Sequence, residues 1–212
     1  MPCQPPSPVP VTLLPQFLSP ANPASLHRTG WLLAASLALG LGSRSVFSAG
    51  SQVTTGQEYE IKAAALYNIV PFVDWPSAAF PAVETPFVIG VLGQDSFAQL
   101  MEQLVANETV HGRKLIVRRY ATASAVKDCQ LLFIARSEQR HWPKLQKVLA
   151  HQPVLTVSDA DNFAARGGSI QFSVAHNKLL LIVNLGATRQ AGLTVSSKLL
   201  RLAEVVGEET HP

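Results

Sequence analysis

The sequence predicts an α/β fold: a three-layer sandwich with a mostly parallel mixed sheet, helices on both faces, a C-terminal hairpin and a terminal helix. Two observations carry this. Short apolar runs after residue 86 are each followed by a helical segment, and the runs are near-continuous rather than alternating, as strands covered on both faces require. Toward the end of the chain two strand-like runs flank a short polar link, which places an antiparallel pair at one edge. Hydrophobic residues are 47% and charged residues 15% of the 212, enough apolar material to fill one core of ordinary size.

Taken in order, residues 57–75 predict a helix with Ile61, Ala65, Ile69 and Phe72 on one core-facing stripe. Pro71 removes a backbone donor and crowds the preceding turn, so the helix should bend or end near Asn68, and Pro76 completes the stop. Residues 87–92 read as a strand closed by Gly93, and 97–105 as an amphipathic helix. Strand 115–120 precedes a short helix at 123–127, and strand 131–135 precedes a helix at 138–150. Strand 154–157 leads into a short helical turn and the Arg166-Gly167-Gly168 break. Residues 169–175 and 179–185 form the hairpin around His176-Asn177-Lys178, and apolar residues at 195, 199, 202 and 206 predict the docked terminal helix.

The front of the chain reads as an address. Residues 1–26 contain eight prolines and no charge, a composition that neither propagates a helix nor fills a core. His27 and Arg28 then precede an uncharged apolar run at 29–43 and a stretch of small residues, the order of a secretory signal. A spanning helix needs about 20 apolar residues, and Arg44 cuts this run short, which disfavours a permanent anchor. Cleavage after Ser48 or after Gly50 meets the small-residue requirement. The expected organisation is a Pro-rich leader and signal peptide at 1–50, one α/β domain at 57–206, and a polar tail at 207–212.

Arg28 and Arg44 are the only formal charges in the first 50 residues, so the other 162 carry 15 basic against 14 acidic side chains. That near-neutral balance provides no basic stripe to track phosphates, and nucleic acid is set aside. Cys3 would leave with the leader, and Cys129 alone cannot form an internal disulfide. Its apolar setting points to a buried, inert thiol.

Catalytic signatures are missing. The sequence contains no Gly-x-Ser-x-Gly, no Gly-x-x-x-x-Gly-Lys and no His-Glu-x-x-His, and its single Gly-x-Gly lies inside the leader. The turn at Gly93-Gln94-Asp95-Ser96 sits where open α/β sheets bind ligands, yet helix capping by Asp95 or Ser96 explains it with less. Ser158-Asp159-Ala160-Asp161 is placed equivalently; its paired carboxylates leave a hard cation as a minor alternative, but a cation wants more than two oxygens, and capping explains the same residues with less. Ser137 and His141, four apart on a predicted helix, share a face as a nucleophile and base would, but lack an orienting acid; an N-cap and a surface histidine is the simpler reading. Arg118, Arg119 and Arg136 are expected at solvated or paired ends of elements, and Trp75, Phe80 and Trp142 at the core or its edge.

Several segments together resemble the YfiR-like family of periplasmic regulators, whose best-studied members hold an inner-membrane diguanylate cyclase inactive. The matching segments include Glu60-Ile-Lys-Ala-Ala-Ala-Leu-Tyr-Asn-Ile-Val-Pro-Phe-Val-Asp-Trp-Pro76, Phe87-Val-Ile-Gly-Val-Leu-Gly93 and His111-Gly-Arg-Lys-Leu115. They continue through Cys129-Gln-Leu-Leu-Phe-Ile134, Leu155-Thr-Val-Ser-Asp-Ala-Asp-Asn-Phe163, Arg166-Gly-Gly168, Asn184-Leu185 and Ala191-Gly-Leu-Thr-Val-Ser-Ser-Lys-Leu-Leu200, in order over nearly the whole exported domain. The resemblance implies a periplasmic homodimer that represses cyclic di-GMP signalling by binding the periplasmic part of an inner-membrane diguanylate cyclase or related sensor. It implies no enzymatic activity and no cofactor. Pro71 departs from the basic residue common after the Tyr-Asn segment, and Cys129 lacks the second cysteine with which some members form a bridge. An apolar partner-binding surface is expected where Trp75, Pro76, Phe163, Arg166, Gly167 and Gly168 gather. The alternative is a periplasmic small-ligand-binding protein that uses the turns at Gly93 and Asp159; a hydrolase built on Ser137 and His141 is the third reading.

Overall fold

The apolar runs become strands whose alternate residues enter two different cores. In the computed structural model, which describes residues 55–93, 95–175 and 178–207, strand β2 (Phe87–Leu92) is buried at every position. Phe87, Ile89 and Val91 face one layer, while Val88 and Leu92 face the other. A strand with water on neither side has no use for polar alternation, which is why this run reads as continuously apolar. The expected leader, the link His176-Asn177 and residues 208–212 lie outside the described residues.

The chain enters through helix α1 (Thr55–Ile69), which gives way at Val70–Phe72 to a tighter 3-10 turn carrying Pro71. The helix therefore ends where the proline predicts. Its buried face differs from the expected stripe: Ile61 is 47% exposed and Phe72 36%, whereas Lys62, Ala63, Leu66, Ile69 and Val70 are buried. Lys62 is drawn inward by carboxylates described below, which rotates the helix, and the 3-10 turn swings Phe72 away from the α-helical register.

After β1 (Val73–Asp74) come β2, α2 (Asp95–Leu104), β3 (Thr109–Val110) and β4 (Arg113–Tyr120). His111 and Gly112, with φ of 50° and 75°, form the two-residue link between β3 and β4. Such a turn requires positive φ at both central positions. The expected helix at 123–127 is only a 3-10 turn, Ala123–Ala125. Strand β5 (Leu131–Ile134) leads through a 3-10 segment, Arg136–His141, into α3 (Trp142–Leu149), and β6 (Leu155–Ser158) follows. The hairpin forms as expected from β7 (Ile170–Ala175) and β8 (Lys178–Asn184), paired antiparallel.

The terminal helix is reduced to one turn. Helix α4 (Leu185–Gln190), capped by Asn184, precedes β9 (Thr194–Val195), α5 (Ser197–Leu200) and β10 (Glu204–Val206). Val195 pairs with Val73, and β10 pairs in parallel with Ile182–Asn184 of β8. Two open strand edges thus claim backbone groups that a continuous helix would have satisfied within itself, and the β-branched Val205 and Val206 suit the ladder.

The main sheet has the order β10-β8-β7-β6-β5-β2-β4-β3, antiparallel only at β7–β8 and β3–β4. Helices α1 and α2 cover one face, with Leu66, Ile69, Phe97 and Met101 against Ile89, Phe133 and Val157. Helix α3 covers the other, with Trp142, Leu145 and Leu149 against Leu92, Leu132 and Ile134. This is the three-layer arrangement the sequence predicts.

Phe163 is 1% exposed and lies 4.6 Å from the Trp142 ring, and a Cβ added at Gly168 would stand 2.1 Å from its ring. Gly168→Ala is expected to cost about 1–3 kcal/mol as overpacking, read as a lowered urea midpoint at unchanged m-value. Combining it with Phe163→Leu should recover part of the loss; equal stability of Gly168→Ala and the parent would contradict this packing.

Candidate functional site

Strand order reverses between β2 and β5: β2 leads to β4 on one side, and the chain returns to β5 on the other. The crevice beyond the carboxyl ends of such strands is where open α/β sheets take ligands. Here it is filled. The chain leaving β5 turns directly over the end of β2, so that a Cβ on Gly93 would lie 2.9 Å from Glu138 Cγ and 3.1 Å from Ala135 Cβ.

Asp159, just past β6, is equally committed. Its Oδ1 accepts from the Arg136 backbone N–H at 3.0 Å, its Oδ2 accepts from Lys62 Nζ at 2.6 Å, and its carbonyl oxygen accepts from the Arg136 guanidinium at 2.9 and 3.2 Å. Arg136 continues to Asp161 at 3.0 Å, and Ser158 Oγ donates to Ile134 O at 2.7 Å while accepting from Ala160 N. Lys62 also meets Glu58, one helical turn earlier, at 2.6 Å. Burial works to lower the Lys62 pKa, but hydrogen bonds and charge from Asp159 and Glu58 outweigh it and leave the pKa above its ordinary value. The ammonium is therefore held charged inside the protein. Among the described residues no group of three or more His, Cys, Asp or Glu is placed to hold a metal ion.

Ser137 and His141 do not form the pair their spacing allows. They lie on the 3-10 segment, where residues three apart share a face and residues four apart do not. His141 Nε2 instead accepts from Arg140 Nε at 3.1 Å and lies 3.5 Å from Glu138. Arg118 caps the carbonyls of Lys127 and Asp128, and Arg119 grips Glu102 with two bonds of 2.9 and 2.6 Å, as expected of element ends.

The six residues expected to gather as a partner surface fall into two separate places. Trp75 and Pro76 are half-buried at the amino end of β5: Trp75 Nε1 donates to Gln130 O at 2.9 Å, and its ring meets Phe87 edge-on at 4.8 Å on the α1–α2 side. Phe163, Arg166, Gly167 and Gly168 belong to the turn after β6, in the α3 layer, where Trp142 Nε1 donates to Arg166 O at 3.0 Å. Phe163 and Gly168 are buried and only Arg166 is well exposed. Sequence distance hid this, because each aromatic anchors to its own layer.

Pattern reasoning missed one exposed apolar feature. β7 pairs with β6 only through Ile170 and Gln171, and β10 covers β8 only from Ile182, so the rest of the hairpin extends past its neighbours. Val174 is 48% exposed and Leu180 46% on this arm. The lengths of the adjacent strands leave this part of β8 uncovered.

The domain is an α/β three-layer sandwich whose strand-end crevice is filled by the protein's own side chains. The YfiR/HmsC-like family model matches residues 59–204, and the chain belongs to that family, one of periplasmic regulators of diguanylate cyclase signalling. No curated protein matches. Among solved structures, the chain is similar to a conserved domain protein from Vibrio cholerae O1 biovar El Tor, at 13% identity and a TM-score of 0.45, over 69% of this chain and 59% of that one. Among the described residues no helix is long and apolar enough to cross a membrane.

Three outcomes follow from the burial of Lys62 and Cys129. Lys62→Met strands Asp159 in the interior and is expected to cost about 3–5 kcal/mol in urea unfolding, with Lys62→Met/Asp159→Asn recovering much of it. Because the Lys62 pKa is raised in the folded state, its contribution should be complete below its ordinary value of 10.5 and fade as pH climbs through the raised value; Lys62→Met should lack that alkaline decline. Burial pushes the Cys129 thiol up to about 11, so alkylation by iodoacetamide at pH 8 should be negligible until denaturant unfolds the chain. Rapid labelling of Cys129 itself in the native protein would contradict that placement.

Proposed function

We propose that the protein is exported, loses its leader, and acts in the periplasm as a non-catalytic homodimeric repressor of cyclic di-GMP signalling. In this reading it binds the periplasmic part of an inner-membrane diguanylate cyclase or related sensor. The observation that carries the reading is the family match across 59–204, nearly all of the folded domain. The filled strand-end crevice supports it, because the turns at Gly93 and Asp159 on which the small-ligand alternative depends are occupied by the protein's own side chains.

Repression of this kind works by differential affinity: the regulator binds the inactive arrangement of the cyclase more tightly and so raises its population. Arg166, exposed on a turn made rigid by Phe163 and Gly168, supplies a directional charged contact, and Trp75 with Pro76 supplies a separate half-apolar one. Phe163, Gly167 and Gly168 serve by shaping the turn.

Deleting the gene in cells that express the cyclase should raise cyclic di-GMP, and the parent gene should restore the level. Arg166→Glu, an exposed change expected to leave the fold intact, should restore it poorly at equal protein abundance. An unchanged cyclic di-GMP level on deletion would refute repression, and full restoration by Arg166→Glu would remove that residue from the interface.

A further inference from the structure

A cleft of about 380 Å³ opens between α3 and α4 in the layer opposite α1, within the usual size of small-molecule sites. It is separate from the filled crevice at the strand ends. Its floor is unusual for a buried sheet face: where Val or Leu would pack, β6 and the residue before β7 present the hydroxyls of Thr156 and Ser169, 5% and 3% exposed.

The bonds of these hydroxyls can be counted. Thr156 Oγ1 accepts from Ser169 N at 3.0 Å, Ser169 Oγ accepts from Thr156 N at 3.4 Å, and the two oxygens are 3.1 Å apart. One hydroxyl proton closes the bond between them. The other has no acceptor among the described groups, so the floor offers a spare donor.

The remaining lining agrees in sign and character. Lys147 and His151 stand at the rim, Lys147 has no ion pair among the described residues, and no Asp or Glu lines the cleft. Leu149, Val154 and Ala187 supply aliphatic wall. We propose that this cleft binds a small amphipathic organic anion, with its carboxylate between Lys147 and the hydroxyl floor and a short aliphatic tail along Leu149, Val154 and Ala187. The inference goes beyond repression of a cyclase and stands without it.

The test is an amide NMR titration of the purified protein with hexanoate, beside hexylamine, which keeps the tail and reverses the charge, and inorganic phosphate, which lacks the tail. Hexanoate should shift the Gly167, Ser169 and Ala187 amides saturably and more tightly than either control. Lys147→Gln, a surface change, should weaken hexanoate by about three- to fivefold, the size of one charge-assisted contact at a wet rim. Ala187→Leu should abolish the shifts by filling the wall. The proposal is overturned if hexanoate gives no saturable shift, if hexylamine or phosphate binds as well, or if Lys147→Gln binds hexanoate unchanged.

Discussion

Lys62 is 4% exposed, and its ammonium is held by two carboxylates at 2.6 Å, one on its own helix and one just past strand β6. Removing an ion from water costs several kcal/mol, and a single partner often only offsets that cost. A second carboxylate, with the remaining Asp159 oxygen bonded to backbone, tips the balance toward a charged interior lysine. The orientation of α1 follows from this constraint, since no rotation that buries Ile61 in its place would keep Lys62 on Asp159.

The same interaction occupies the strand end where such sheets place ligand-binding groups. Asp159 sits where a doubly wound sheet would present a catalytic or cation-binding carboxylate, and it is used up on Lys62 and Arg136. Gly93, which would open a ligand-binding turn, lies instead under the chain leaving β5. A fold that elsewhere hosts enzymes is thus filled at its customary ligand crevice by the protein's own side chains. This agrees with membership of a regulatory family better than fold class alone would, because fold by itself carries no function.

The hairpin and the C-terminal segment show where local pattern stops being informative. Residues at 195, 199, 202 and 206 have helical spacing, and Ser196 does cap a helix, its Oγ accepting from Lys198 N at 3.3 Å. One turn later the chain meets the uncovered edge of β8, and pairing there replaces the helix. In the hairpin, Phe172 and Val183 are buried while Val174 and Leu180, in the same kind of run, are about half exposed, because the neighbouring strands end first.

From the sequence alone come the strand–helix alternation, the end of α1 before Pro71, the hairpin, the buried thiol and the family, because periodicity, proline stereochemistry and turn residues act within a few positions of one another. The placement of the candidate residues was not legible: Trp75 and Phe163, expected together, lie in different layers. Tertiary structure alone decided that separation, the face of α1, the closing of the strand-end crevice and the division of the last helix. Each depends on groups distant in the chain, as Lys62 and Asp159 are at 97 residues, and only folding brings such charges and strand edges close enough to compete with local preference.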